Sequence, residues 1–278
     1  MKLVRYGAAG QEKPGMMDRS GRIRDLSAHV KDINGETLSP SGLAKLAALD
    51  PASLPLVDGT PRFGAPVTGF SKFLAIGLNY ADHAAEAGMP IPAEPILFIK
   101  ANTSICGPND AVEKPRGSTK LDWEVELAII IGTRAKYIKE ADAMKHVFGF
   151  TVINDVSARE IQRRHGQQWF KGKSLDGHCP MGPWIVTADK VKSWWDLRVV
   201  TRVNGAIKQD SNTRHMYFKI PRIIAELSAG MTLEPGDIIS TGTPAGVGHA
   251  RTPPEFLKAG DILETEISGI GLLKNQVG

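Results

Sequence analysis

Two glutamates separated by one residue, Glu124 and Glu126, lie in an apolar, β-branched run that ends at Gly132. Because side chains alternate along a strand, the two carboxylates project from one face, while Val125 and Leu127 project from the other. Two like charges on a buried face need a proton, a cluster of basic side chains or a divalent cation to compensate them. The spacing therefore favours a cation site. The alternative is an edge strand whose polar face meets water.

Two further segments carry groups that could act beside such a site. His83 and Glu86 are three residues apart in a predicted helical turn, a spacing at which a carboxylate can orient an imidazole and raise its basicity. A solvated helix face would contain the same pair. Asp155 stands at the end of an apolar strand, and Arg159 and Gln162 share one face of the helix predicted after it. These last two side chains could hold a carboxylate or carbonyl of a ligand.

Lys173 and a glycine-rich stretch add groups suited to anions. Lys173 lies between apolar residues and glycines, which favours a buried ammonium that faces an anion. The stretch from Gly242 to Gly248 could cradle an anion with its backbone N–H groups. Because Pro253 and Pro254 follow instead of a helix, this stretch is not a dinucleotide-binding loop.

The elements that must position these groups are mostly short strands separated by turn residues. This pattern favours a β-rich α+β roll or barrel over an alternating α/β sheet. Residues 1–68 form a small leading module that ends in a Pro- and Gly-rich linker, and residues 69–278 form the main domain. The predicted strands are 2–6, 22–26, 73–77, 96–100, 121–132, 148–155, 184–186 and 197–203, with two more that begin after the turns Gly236-Asp237 and Gly260-Asp261. The predicted helices are 41–49, 79–86, 139–146, 157–162 and 220–228.

Composition and charge limit the classes of function that this protein could have. The 278 residues carry a formal charge of +4 with dispersed basic residues, which argues against a nucleic-acid footprint and suits weak steering of small anionic substrates. No apolar segment approaches the roughly 18 to 20 residues that cross a bilayer, and the first residues lack the apolar core of a secretion signal, so we expect a cytoplasmic protein. The two cysteines, Cys106 and Cys179, fit that compartment as unpaired thiols. Catalysis by Cys179 beside His178 is a weaker alternative to an inert buried thiol.

Five motifs, in order, resemble the fumarylacetoacetate hydrolase family. They span about residues 70 to 277. The motifs are Gly77-Leu78-Asn79-Tyr80-Ala81-Asp82-His83, Asp122-Trp123-Glu124-Val125-Glu126-Leu127, Asn154-Asp155-Val156-Ser157-Ala158-Arg159, Gly172-Lys173-Ser174 and Thr241-Gly242-Thr243-Pro244-Ala245-Gly246-Val247-Gly248. The opening, with Arg5-Tyr6-Gly7 and Gly10-Gln11-Glu12-Lys13-Pro14-Gly15, is similar to the bacterial branch that includes ureidoglycolate lyase and 2,4-diketo-3-deoxy-sugar-acid hydrolase.

The resemblance implies the family's mixed β-roll with a small N-terminal α+β domain, a homodimer, and Mg²⁺ or Mn²⁺ held by Glu124, Glu126 and Asp155. Three carboxylates plus waters suit a hard octahedral cation. In the family the metal chelates the 2-oxo acid end of the substrate. The remaining roles it implies are neutralisation of a developing enolate by Lys173, substrate binding by Arg159, Gln162 and Thr243, and water activation by His83 with Glu86.

The activity implied by the resemblance is metal-dependent hydrolysis of a C–C bond in an acylpyruvate or 2,4-diketo acid, such as a 2,4-diketo-3-deoxy sugar acid, with release of pyruvate. Ureidoglycolate lyase, oxo-acid isomerase and decarboxylase activities would use the same residues. A non-catalytic metal-binding dimer is the alternative from a different class.

Overall fold

Strands dominate the architecture. The computed structural model of the protein describes residues 1–166 and 168–278, and within them it has seventeen strands. The strands are β1 (Lys2–Tyr6), β2 (Lys13–Met17), β3 (Ile23–Asp25), β4 (Phe63–Gly64), β5 (Phe73–Gly77), β6 (Ile96–Ile99), β7 (Ile105–Cys106), β8 (Leu121–Asp122), β9 (Val125–Ile131), β10 (Val147–Asn154), β11 (Ser157–Ala158), β12 (Cys179–Thr187), β13 (Arg198–Val203), β14 (Ala206–Asn212), β15 (Ile238–Ser240), β16 (Ile262–Ile267) and β17 (Gly271–Gln276).

The helices of the described residues are few and short. The α-helices are α1 (Pro40–Ala47), α2 (Ala81–Glu86), α3 (Glu140–Ala143), α4 (Arg159–Gln162), α5 (Phe170–Lys173) and α6 (Ile220–Ser228). Single 3₁₀ turns cover Pro51–Ser53, Asn102–Ser104, Met144–His146, Ala188–Lys190, Thr213–His215 and Gly248–Ala250.

The strands form one large sheet and two small ones. Nine strands of the eleven-stranded sheet follow the order β3-β2-β1-β12-β10-β9-β15-β5-β6, with β4 added on β1 and β7 on β12. The pairs β15–β5 and β12–β7 are parallel, whereas β9 pairs antiparallel with both of its neighbours. A four-stranded sheet has the order β14-β13-β16-β17, and β11 pairs with β8. The predicted β-rich α+β class is confirmed.

Strand β9 lies inside the large sheet and is buried on both faces. Val125 and Leu127 belong to a core cluster that includes Ile223 from α6. Ala128 and Ile130, on the opposite face, pack in a second cluster. The alternative of a solvated edge strand is therefore wrong, and carboxylates at the start of this strand have to be compensated within the protein.

Most predicted elements are present, and the differences have local causes. The strands 2–6 and 73–77 and the helix 220–228 have the predicted bounds. The run 121–132 is interrupted at residues 123–124, so β8 and β9 are separate strands. The helix predicted at 157–162 begins two residues late, because Ser157 and Ala158 pair with β8. The helix predicted at 139–146 is α3 followed by a 3₁₀ turn.

The leading segment is joined to the rest of the chain by sheet pairing and by packing. Leu3 of β1 pairs with Ile185 of β12. Leu3 and Leu26 share a core cluster with Ile130 and Ile185. The proposed division into residues 1–68 and 69–278 stays a prediction.

Candidate active site

Three buried carboxylates converge at the start of β9 and the end of β10. One oxygen each of Glu124, Glu126 and Asp155 lies within 4.8 Å of the others. The antiparallel register explains this convergence, because Asn154 pairs with Val125 and the backbone N–H of Asp155 donates to the Glu124 carbonyl at 2.8 Å. The start of one strand and the end of its neighbour thus bring residues about 30 positions apart into one cluster.

The cluster fits a hard divalent cation. Burial, followed by the negative charges of Asp155 and Glu124, raises the pKa of Glu126 to about 8. Glu126 Oε2 accepts hydrogen bonds from Ser240 Oγ and from the backbone N–H of Gly242, the latter at 2.9 Å. A carboxylate crowded by two others in a buried site is stabilised by a nearby cation, and oxygen donors suit Mg²⁺ or Mn²⁺.

Two buried lysines flank the carboxylates. Lys173 Nζ donates to Glu124 Oε2 and to Asp155 Oδ2, each at 2.7 Å. Lys100 Nζ donates to Asp155 Oδ1 at 2.6 Å and to the backbone carbonyl of Lys173. Lys100 was not predicted as a site residue. Its only signal in the sequence is a lysine directly after the apolar strand β6, where a buried ammonium needs an acidic partner.

Arg159 is held between two carboxylates. Its Nε donates to Asp122 Oδ2 at 2.8 Å, its Nη2 lies 2.7 Å from Glu124 Oε1, and its Nη1 donates to Gln162 Oε1 at 3.1 Å. Arg159 and Gln162 therefore lie together beside the acid cluster, as their spacing indicates. Although burial opposes ionisation of Glu124, Lys173 and Arg159 lower its pKa to about 2, and the nearby His83 adds to the shift.

Asp122 is a second residue that the prediction missed. It is fully buried and accepts hydrogen bonds from the backbone N–H groups of Gly248, at 2.6 Å, and His249, at 3.0 Å. Burial opposes its ionisation, but the Arg159 guanidinium and the hydrogen bonds from His249 lower the pKa of Asp122 to about 2. Asp122 thus fixes both Arg159 and the end of the glycine-rich stretch.

Thr243 lies in the loop that follows β15, directly after Gly242, whose backbone N–H donates to Glu126. Its Oγ1 accepts a hydrogen bond from Gln209 Nε2 at 2.8 Å. Gln209 Oε1 in turn accepts from the backbone N–H of Val125, at 3.0 Å, and from Thr201 Oγ1, at 2.8 Å. Gln209 connects the four-stranded sheet to the start of β9, a role that no pattern in the sequence indicates.

The ring of His83 is buried on α2, and its partner Glu86 is half-buried. His83 Nδ1 lies 2.7 Å from Glu86 Oε1, and Glu86 Oε2 accepts a hydrogen bond from the backbone N–H of Gly246 at 2.8 Å. His83 is only 7% exposed, so the pair is not a solvated helix face. The helix is anchored at its base by Asn79, whose amide donates to the carbonyls of Phe218 and Thr241 at 3.0 and 2.8 Å.

The two cysteines are unpaired thiols, of which Cys179 is buried and Cys106 is half-buried. Burial raises the pKa of Cys106 to about 12 and raises the pKa of Cys179 further. A thiol with a raised pKa forms little thiolate near neutral pH. This environment argues against the weaker alternative of catalysis by Cys179.

Comparisons with known proteins agree with this geometry. Residues 72–278 match the model of the fumarylacetoacetate (FAA) hydrolase C-terminal family. The chain belongs to the fumarylacetoacetate hydrolase family. The matched residues of this family member include every predicted site residue, and the fold is the family's mixed β-roll.

Relatives of this fumarylacetoacetate hydrolase family member extend over its full length. A protein from Burkholderia cenocepacia, provisionally named as a hydrolase, is 56% identical over 272 residues, covering 98% of this chain and 96% of its own. The structure of fumarylacetoacetate hydrolase from Exiguobacterium antarcticum is 41% identical, with a TM-score of 0.89 and coverage of 100% of this chain and 99% of that chain. The structure of maleylpyruvate hydrolase from Sphingobium sp. SYK-6 is 31% identical, with a TM-score of 0.80 and coverage of 100% and 99%.

The matched structures also include proteins named as isomerases. The family member described here is accordingly an enzyme of a group that contains hydrolases and isomerases. Within its described residues, no helix has the length and apolar character that a membrane span requires.

Proposed function

We propose that this enzyme hydrolyses a C–C bond of an acylpyruvate or another 2,4-diketo acid and releases pyruvate. The observation that carries the proposal is the convergence of Glu124, Glu126 and Asp155 beside a buried lysine. His83, which is paired with Glu86, is close enough to act on the charge of Glu124. We assign the three carboxylates to Mg²⁺ or Mn²⁺. When bound, such an ion would polarise the 2-oxo acid end of the substrate and make the pyruvate enolate a better leaving group.

The charge of the site supports an anionic substrate. Four buried carboxylates face three buried cations. With Glu126 ionised, as a bound cation would keep it, the protein groups carry one excess negative charge. A divalent ion would convert this into one excess positive charge, which a substrate carboxylate can balance. The carboxylates are Asp122, Glu124, Glu126 and Asp155, and the cations are Lys100, Arg159 and Lys173.

His83 is the proposed general base. Its ring takes a proton from water as the water oxygen bonds to the distal carbonyl carbon, and Glu86 stabilises the resulting imidazolium. The C–C bond then breaks, and its electron pair passes into the pyruvate enolate. The imidazolium returns a proton to the enolate carbon, which gives pyruvate and the second carboxylic acid.

The other site residues bind charge and orient the substrate. Lys173 places a fixed ammonium where the enolate oxygen develops negative charge, a form of stabilisation that requires no rearrangement during the reaction. Arg159, Gln162 and Thr243 are the proposed contacts to the carboxylate and carbonyl oxygens of the substrate. The enzyme is proposed to act in the cytoplasm as a homodimer, and light scattering of the purified protein tests the oligomeric state.

One comparison favours hydrolysis of an acylpyruvate in particular. Maleylpyruvate hydrolase is named for a substrate that joins an acyl group to pyruvate, and it matches this chain over its full length. The isomerases among the matched structures favour isomerisation of an oxo acid as a second candidate. Isomerisation leaves every C–C bond of the carbon skeleton intact, so the products distinguish the two reactions.

The test is an assay with acetylpyruvate and related 2,4-diketo acids in the presence of Mg²⁺. We expect equal amounts of pyruvate and the second acid, measured by a lactate dehydrogenase assay and by NMR. Glu124→Ala should abolish this activity, while Glu140→Ala on the exposed side of α3 should leave it unchanged. Normal turnover of Glu124→Ala, or an isomerised product without pyruvate, would contradict the proposal.

A further inference from the structure

The ring of Phe98 lies against the ammonium of Lys173. Phe98 is on β6, where Leu97 and Ile99 point outward and are 45% and 51% exposed. The alternation of the strand turns Phe98 the opposite way, into a half-buried position beside the site. Lys173 Nζ lies over this ring at 5.2 Å from its centroid, within the distance at which a ring face attracts a cation.

Trp169 holds the Phe98 ring from another side. The two ring centroids are 5.5 Å apart with an interplanar angle of 70°, an edge-to-face contact. The indole also lies directly on Gly77 at the end of β5, where an added Cβ would be 2.2 Å from Trp169 Cζ3. The aromatic pair is therefore enclosed between the end of β5 and Lys173.

The contact with Phe98 restricts the side chain of Lys173, which would otherwise have many rotamers. Lys173 reaches the acid cluster through four methylene groups, and its Nζ has hydrogen bonds to Glu124 and Asp155. The face of Phe98 covers a further side of the same ammonium. A lysine can move between carboxylate oxygens unless its surroundings select one position.

We infer that Phe98 is a positioning residue, which acts through Lys173 and is held in place by Trp169. The inference rests on the proposed function, in which the Lys173 ammonium stabilises the enolate. It deepens that proposal by giving a role to Phe98 and Trp169. Their ring contacts described above are with Lys173, with Gly77 and with each other, and not with the carboxylates or with the His83–Glu86 pair.

The kinetic test compares variants of similar size with and without an aromatic ring. Phe98→Leu removes the ring face, so we expect kcat for diketo acid hydrolysis to fall roughly tenfold to a hundredfold while KM changes little. Phe98→Tyr keeps the ring face and should stay near the wild-type kcat. Ile99→Ala, on the exposed side of the same strand, is the matched control and should behave as wild type.

A double-mutant cycle separates positioning of Lys173 from a general packing role. If Phe98 acts through Lys173, Phe98→Leu should cause no further loss of kcat in a Lys173→Met background. Trp169→Leu should lower kcat in the wild type but not in Phe98→Leu. An equal loss from Phe98→Leu in both Lys173 backgrounds would overturn the inference.

A second double-mutant cycle measures stability and therefore needs no substrate. Urea unfolding of wild type, Phe98→Leu, Lys173→Met and the double variant should give non-additive changes, since the two side chains are in direct contact. Additive changes would overturn the inference whatever the activity. Absence of pyruvate release from the wild type would overturn the proposed function instead, and the unfolding cycle would still decide whether the contact exists.

Discussion

At the level of single residues, ionisation in the acid cluster depends on which carboxylate has a cation beside it. Glu124 contacts Lys173 and Arg159, and its pKa is lowered to about 2. Glu126 is bound by a hydroxyl and a backbone N–H instead, and burial together with the neighbouring carboxylates raises its pKa to about 8. Both glutamates come from one short sequence motif, so their different properties arise from tertiary neighbours.

Lys100 provides a residue-scale test of how the cluster is stabilised. Its side chain is fully buried and donates to Asp155 and to the Lys173 carbonyl. Lys100→Met leaves the Asp155 carboxylate with one cationic partner fewer, so we expect a loss of about 3 to 5 kcal/mol in the free energy of unfolding, measured in urea. Lys145→Met is the control, because Lys145 pairs with Asp142 on the surface and should change stability by less than about 1 kcal/mol. Equal effects of the two substitutions would contradict this account.

The buried ring of His178 makes the native state less stable in mild acid. Its ring is buried, lies 3.0 Å through Nε2 from the Glu113 carbonyl, and has its pKa lowered to about 4 by burial and by Lys100. In the unfolded chain the imidazole binds a proton near pH 6.5, so the native state loses stability as pH falls from about 6.5 to 4, by up to about 3 kcal/mol.

The measurement for His178 is urea unfolding at a series of pH values between 4 and 7. His178→Gln retains an N–H donor without a titrating ring, so we expect a flatter dependence on pH than in the wild type. His215→Gln, at an exposed site, should keep the wild-type dependence. A His178→Gln curve parallel to the wild-type curve would show that other groups cause the loss.

At the level of elements, helix α2 and the glycine-rich stretch form one unit through Glu86. One carboxylate oxygen contacts His83, and the other accepts the Gly246 N–H. The carbonyl of the same Gly246 accepts the indole N–H of Trp123, which lies between β8 and β9. Glu86 therefore both orients the proposed base and fixes α2 against the start of the acid-bearing strand.

This arrangement predicts the effect of removing the Glu86 charge. Glu86→Gln keeps an acceptor for Gly246 but no longer stabilises the His83 imidazolium, so we expect kcat to fall by about 10². Mg²⁺ affinity, measured by calorimetry, should stay unchanged because the carboxylates of the metal site are untouched. Asp82→Asn, at an exposed position of the same helix, is the control that should retain kcat. Full activity of Glu86→Gln would assign the orientation of His83 to another group.

At the level of the whole molecule, the features that could be predicted from the sequence are those that depend on neighbouring residues along the chain. The alternation that places Glu124 and Glu126 on one face is local, because it depends only on the strand that carries them. The contacts that complete the site join residues that are far apart in the sequence. Lys100 and Asp155 are 55 positions apart, and no periodic pattern connects them. Lys100 lies between β6 and β7, and β7 pairs with β12, which is the neighbour of β10 in the large sheet. The short apolar runs do not individually encode this topology.

The position of the acid cluster also predicts how a metal ion affects the stability of the whole fold. Glu124 and Glu126 flank the start of β9, and Asp155 follows β10, so an ion bound to all three connects two central strands. An ion that binds only the native state adds about 2.7 kcal/mol at 100 times its Kd, which for a chain of this length raises Tm by about 5 °C. Calorimetry in EDTA and in excess Mg²⁺ measures the difference.

The matched variants for this experiment are Glu126→Gln and Glu140→Gln. Glu126→Gln removes one anionic donor from the cluster without adding a buried charge, so its Tm in EDTA should remain near that of the wild type. Its response to Mg²⁺ should be lost, since the ion then has two carboxylates instead of three. Glu140→Gln, on α3 outside the cluster, should respond as the wild type does. A Tm of the wild type that is independent of Mg²⁺, or an equal response of Glu126→Gln, would place the ion outside this cluster and separate the three carboxylates from the proposed chemistry.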